Sequence, residues 1–150
     1  MHAFPHVYAV TATADEERDL TLASAGLPAL AVNSPAEFEG PGDRWSPETL
    51  LAGAVATCLI LTFRAIAKAS KLPWISITCE TSGTLERVDR VTRFTSFAVR
   101  ARLQVPEGTD LDRAQRLLVK ADETCLVSRS LAAPVRLEIS VEAASAAGVN

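Results

Sequence analysis

Two cysteines, Cys58 and Cys125, are the side chains of this sequence best suited to chemistry. Cys58 lies deep in an uncharged helical run, L-L-A-G-A-V-A-T-C-L-I-L-T-F, and Cys125 ends the apolar stripe of a second helix 67 residues later. Two thiols aimed at one core can pass between reduced and oxidised sulfur. The two histidines, His2 and His6, both lie in an N-terminal segment that reads as strand, where their spacing carries no metal-ligand signal. No C-x-x-C occurs, and no internal histidine is placed to act as base for a cysteine hydrolase. Redox chemistry is favoured over hydrolysis, and neither a metal nor a cofactor is expected.

A reactive thiol needs a cation or a helix N-terminus to favour its thiolate. Cys58 is about three turns into its helix, too far for the helix dipole to help, so a cation has to come from elsewhere in the fold. Cys125 stands where the second helix should end, followed by Ser128, Arg129 and Ser130, and a thiol at a helix end is expected to be the more accessible of the two. Cys79 alternates with Ile75 and Ile77 along a strand and reads as ordinary packing. Glu48 follows Pro47 in the first helical turn, where acids are favoured in any case. Arg18 lies in a polar turn and reads by itself as a solvated charge.

The elements that must position these residues are legible from periodicity. Residues 4–13, 20–24 and 27–32 read as strands, the third at an edge because of Pro28. Residues 33–45, with Pro35, Gly40, Pro41 and Gly42, read as a loop. Ser46 is a good N-cap and Pro47 suits the first helical position, so a helix is expected from there to about Ser70, stopped by Leu72-Pro73. Trp45 and Leu50 fit a hydrophobic staple across that cap. Because the helix is apolar all round between Leu50 and Phe63, it should be covered on every side, in part by a second subunit. Small residues at Ala52, Gly53 and Ala54 would let two such helices cross closely.

Two long strands follow, joined by a hairpin at 88–90. The second puts Phe97, Val99, Ala101, Leu103 and Val105 on one face, and the phase of Phe94 calls for a bulge near Thr95 and Ser96. Residues 106–110 open a second helix whose stripe is Leu111, Ala114, Leu118, Ala121 and Cys125. A last strand turns Val135, Leu137, Ile139 and Val141 inward, and the tail from about 143 to 150 should fray. The order is β-β-β-α-β-β-α-β, an α+β class in one domain spanning 1–150.

A hydrophobic fraction of 48% is at the upper end for soluble proteins. The net charge of −3, with scattered Lys and Arg, offers no basic stripe and speaks against nucleic-acid binding. The N-terminus lacks the pattern of a secretory signal, and the uncharged run of 14 residues from Leu50 to Phe63 is shorter than a membrane span. A cytoplasmic protein without a membrane partner is expected, in which any disulfide would be transient.

The stretch W-S-P-E-T-L-L-A-G-A-V-A-T-C at 45–58 resembles the central helix of the OsmC/Ohr family of thiol-dependent hydroperoxidases. C-L-V-S-R-S-L at 125–131 is similar to the family's second-cysteine segment, often written C-P-x-S, with Leu126 in place of the common proline. E-R-D at 17–19 falls in the turn where the Ohr branch carries an arginine. The resemblance implies an OsmC-like fold, with antiparallel sheets around a long buried central helix in an intertwined homodimer. It implies a peroxidatic Cys58, a resolving Cys125 that closes a Cys58–Cys125 disulfide, an Arg18 that stabilises the thiolate and a Glu48 that partners the arginine. Implied partners are an organic hydroperoxide and an external thiol or dithiol reductant of lipoyl type. A redox-sensing thiol module and a dimeric binder of small hydrophobes are the alternatives.

Overall fold

The computed structural model describes residues 3–144, which gather into two compact units meeting in sequence at Leu50 and Leu51. His2 and the tail beyond Ala144 lie outside the described residues.

The first unit holds a small antiparallel sheet of β1 (Thr11–Thr13), β2 (Leu20–Ala23) and β3 (Leu30–Val32), in that order. The first strand is much shorter than the expected 4–13, and Phe4, Val7, Tyr8 and Val10 are exposed. β3 is an edge strand, as Pro28 suggested, and Val32 bridges to Trp45. Between β3 and that bridge the chain makes a single 3-10 turn at Ala36–Phe38. Asp19, beside the start of β2, ties this unit together by accepting from Asn33 at 2.8 Å and from Arg44 at 2.8 Å.

Helix α1 runs from Pro47 to Ala69, close to the expected bounds. Its start is a reciprocal cap. The Thr49 N–H donates to Ser46 Oγ at 3.2 Å, and the Ser46 N–H donates to Thr49 Oγ1 at 2.8 Å, so two backbone donors are satisfied. Trp45 is about half exposed. Downstream, Val55, Leu59, Phe63 and Ala67 recur every four residues and are buried, forming one stripe. Leu61 on another face is 58% exposed. Among the described residues the all-round covering expected from the sequence is therefore incomplete. By length and composition α1 is also apolar enough to cross a membrane, because its 23 residues extend the uncharged run at both ends. Its buried stripe nevertheless packs into the core of the second unit.

That core is organised by β5 (Val91–Val105), the centre of a sheet ordered β4 (Ser76–Val88), β5, β6 (Val135–Ala143). Phe97, Val99, Ala101, Leu103 and Val105 are each no more than 1% exposed and meet the stripe of α1. On the opposite face Arg100 pairs with Glu138 at 3.0 Å and Arg102 with Glu80 at 3.2 Å. The β4–β5 hairpin turns on Asp89 and Arg90, both at positive φ (51° and 67°), the backbone sense that matches strand twist. The expected bulge is present. Ser96 pairs with Thr84 and Phe94 with Leu85, leaving Thr95 as the extra residue. The bulge brings Phe94 and Phe97 onto one face with ring centroids 4.9 Å apart. Gly83 opposite them has no room for a side chain, since a Cβ there would lie 2.7 Å from the Phe97 ring.

The sheet is mixed where antiparallel pairing was expected, because β6 runs parallel to β5. Parallel neighbours need a long crossover. Here it is α2 (Leu111–Thr124) and a one-turn α3 (Leu126–Arg129). Asp110 caps α2 by accepting from the Arg113 N–H at 2.9 Å. Ala114, Leu118, Ala121 and Cys125 are wholly buried, while Leu111, roughly 60° from Ala114 around the helix, is 41% exposed at the stripe's margin.

Ser46 is 1% exposed, so its cap cannot be replaced by water without rearrangement. Ser46→Ala should cost about 1 kcal/mol of folding stability, read in urea as a lower midpoint with unchanged slope.

Candidate functional site

Cys58 and Cys125 come together from different elements. α1 presents Cys58 beside its buried stripe, between Val55 and Leu59, so the thiol is half-buried and its Sγ lies 4.0 Å from Thr62 Oγ1. Cys125 occupies the break between α2 and α3. Its extended backbone (φ −63°, ψ 108°) ends one helix and caps the next, and its N–H closes α2 by donating to the Asp122 carbonyl at 3.1 Å. Its side chain continues the α2 stripe inward and is fully buried. The two thiols are close enough to act on each other's ionisation, and the Val127 N–H acts on both. The Ser128 hydroxyl donates to Cys125 Sγ at 3.3 Å.

The accessibility order is the reverse of the sequence-based expectation. A cysteine at the end of an exposed helix would be open, but α2 ends against the sheet, so Cys125 is the hidden thiol and Cys58 the reachable one.

The surroundings also set the two thiols apart. Burial pushes the Cys58 thiol above its ordinary value and the neighbouring Cys125 adds to the rise, against a smaller opposing effect of the Val127 N–H. Burial pushes Cys125 up as well, but four donors together outweigh it: the Ser128 hydroxyl, the Ser128 N–H, the Cys58 thiol and the Val127 N–H. Cys125 is thereby held below the usual thiol value. The two thiols are therefore unlike, Cys58 raised and Cys125 lowered from the ordinary thiol value. The cation expected at Cys58 is not among the groups that act on it.

Cys79 sits on β4 opposite Ala101, and burial alone pushes its thiol up to about 11. It therefore stays protonated at neutral pH. Among the described residues no group of three or more His, Cys, Asp or Glu could hold a metal ion.

Arg18 and Glu48 are placed differently from the thiols. Arg18 lies in the turn between β1 and β2, with its side chain 83% exposed and paired with Asp15 at 2.5 Å. Its hydrogen bond is the main cause that holds the Asp15 carboxyl below the usual range. Glu48 stands in the first turn of α1 with Oε2 buried, and no described residue gives that oxygen a hydrogen bond. The ten residues from Glu48 to Cys58 correspond to about 15 Å of helix rise, so one helix does not bring its own pair together. Ser128, Val127 and Thr62 complete the thiol surroundings. Of these the sequence marked only Ser128, as the hydroxyl of the C-L-V-S segment, and gave it no role.

Residues 40–140 match the family described as OsmC-like protein. The uncharacterized protein YmaD of Bacillus subtilis is 26% identical over 137 residues, covering 89% of this chain and 91% of its own. An OsmC-like protein of unknown function from Vibrio cholerae superposes with a TM-score of 0.83 at 18% identity, over 91% of this chain and all of the other. A Legionella pneumophila structure described as an organic hydroperoxide resistance protein OsmC and predicted redox protein matches with a TM-score of 0.70 at 25% identity, over 91% and 98% of the two chains. With the matched segment running from the loop before α1 into β6, and so containing both thiols, the chain belongs to the OsmC-like family.

Proposed function

We propose that this protein is a cysteine-based peroxidase that reduces organic hydroperoxides through Cys58 and Cys125. The observation that carries the reading is the convergence of these two thiols, one reachable and raised above the ordinary thiol value, the other buried and held below it. The family and the hydroperoxide-resistance neighbour support the same class of chemistry.

Loss of its proton to solvent makes Cys58 a thiolate, which attacks the distal peroxide oxygen. The S–O bond forms as the O–O bond breaks, and the alkoxide takes the Cys125 proton, leaving as alcohol. Cys125, now a thiolate, attacks the Cys58 sulfenic sulfur. The S–O bond breaks, hydroxide leaves and is protonated to water, and the Cys58–Cys125 disulfide remains. An external dithiol then gives up two electrons and two protons, becoming a disulfide itself.

The working unit in this reading is a homodimer in a reducing cytoplasm. α1 has uncovered apolar surface at Leu61, and the extended N-terminal segment exposes Phe4, Val7 and Tyr8. Two α1 helices crossing near Gly53 would bring Glu48 of one subunit toward Cys58 of the other. Glu48, with its unpaired oxygen, and Arg18, with its exposed guanidinium, would then supply the charge that Cys58 lacks within its own chain.

Intact-mass analysis with tert-butyl hydroperoxide tests the pair. The wild-type protein should lose two hydrogens and link Cys58 to Cys125, leaving Cys79 free. Cys58→Ser should not react, and Cys125→Ser should react once and stop at the sulfenic acid or over-oxidise. A dominant linkage through Cys79 would falsify the assignment. For Arg18, removal of the cation should raise the Cys58 pKa in the assembled site. Arg18→Ala should therefore slow peroxide reaction more at pH 6 than at pH 9, and an unchanged pH profile would leave Arg18 a surface charge. Gly53→Leu should separate the crossing helices and remove both dimerisation by light scattering and peroxidase turnover. A fully active monomer would overturn the shared site.

A further inference from the structure

The Cys58–Cys125 disulfide has two sulfurs that an external thiolate could attack, and the surroundings of the two are unlike. Cys58 is half-buried on α1, whereas Cys125 is 0% exposed in the break between α2 and α3. The Ser128 hydroxyl points its proton at Cys125 Sγ from 3.3 Å, while the hydroxyl nearest Cys58, Thr62 Oγ1, is 4.0 Å away. Ser128 is held in place by its position in α3, whose backbone is closed by the Arg129 N–H donating to the Cys125 carbonyl at 3.1 Å.

Attack on a disulfide is directed by access to the sulfur struck and by the stability of the sulfur expelled. Here both point the same way. We propose that Ser128 is a positioning residue which makes Cys125 the leaving sulfur, so that the external dithiol always forms its mixed disulfide on Cys58. The inference rests on the proposed peroxidase reading only in needing the Cys58–Cys125 disulfide.

The step balances as follows. A reductant thiolate attacks Cys58 Sγ, a new S–S bond forms, and the Cys58–Cys125 bond breaks with its electron pair going to Cys125. The Ser128 hydroxyl meets that negative charge, and the Cys125 thiolate is then protonated from solvent. The second thiol of the reductant attacks its own sulfur in the mixed disulfide. It releases Cys58 as thiolate, which takes up a proton, and leaves the reductant as a cyclic disulfide. One sulfur, Cys58, thus meets both the oxidant and the reductant, while Cys125 serves as an internal store that neither reaches. The direction of the Cys125 shift agrees with this, since burial alone would push it up and the Ser128 hydroxyl is the largest opposing influence.

The disulfide can be formed without peroxide, with diamide, so the test does not depend on the oxidant. If diamide closes the Cys58–Cys125 bond while peroxide does not, the peroxidase reading fails and the inference stands to be tested on the same sample. If neither reagent closes it, both fall. With the disulfide in hand, 2-mercaptoethanol should leave its adduct on Cys58 in peptide mapping. Ser128→Ala should slow reduction by dithiothreitol about tenfold, the size expected for one hydrogen bond to a charged group, and Ser128→Thr should restore it. In a Cys58→Ser background, the ultraviolet absorbance of the Cys125 thiolate should titrate at higher pH after Ser128→Ala and return with Ser128→Thr. That shift is not expected of a residue that merely supports α3. An adduct on Cys125, or wild-type reduction and titration in Ser128→Ala, overturns the inference.

Discussion

The burial of one face of β5 is the constraint on which the second unit depends. Five alternating side chains, Phe97 to Val105, are closed to solvent, and they need two partners to close them. The stripe of α1 is one and the stripe of α2 is the other. A sheet buried on one face and charged on the other fixes register, since a slip of one residue would turn Arg100 and Arg102 into the core. The bulge at Thr95 marks where that register is reset, and it places two phenylalanines over the one position, Gly83, that has no side chain.

The thiol pair follows from the same constraint. β6 lies parallel to β5, so the chain must travel back across the sheet before it can pair. That return is α2, and its stripe must face β5 to be buried. A cysteine at the end of the stripe is then carried inward, toward whatever else covers the sheet, which is α1. The break at Cys125 lets the chain turn into α3 and start β6, and it aims the Ser128 hydroxyl and nearby N–H groups at sulfur. Packing thus creates an asymmetric pair: one sulfur half-buried, the other closed to solvent and hydrogen-bonded by Ser128. Disulfide chemistry gains direction from such asymmetry, because access and leaving-group stability are set on different sulfurs.

The polar groups in the first unit and at the start of α1 have a different character. Arg18 is satisfied locally by Asp15, and Glu48 keeps one buried oxygen without a hydrogen-bond donor among the described residues. An unpaired buried oxygen is costly. Together with the open apolar surface of α1, it is what a second subunit would relieve, and that is the physical content of the proposed dimer.

Much of this protein is written locally. Ser46-Pro47 starts α1, the alternation of Phe97 to Val105 makes a one-sided strand, and the out-of-phase Phe94 requires the bulge, because caps and periodicities act over a few residues. Cys58 and Cys125 stood out for the same reason: each sits at a marked place in its own helix. Their relation did not. Parallel pairing of β6 depends on contacts between residues far apart in sequence, and it decided that the helix-end cysteine is buried and the mid-helix cysteine reachable. The role of Ser128 arose there too, since a hydroxyl one turn beyond a cysteine becomes a donor to sulfur only when the backbone breaks between two helices. Sequence therefore marked which residues could carry the chemistry, while tertiary structure decided which thiol is buried and which is reachable, because burial and hydrogen-bond direction are properties of assembled elements.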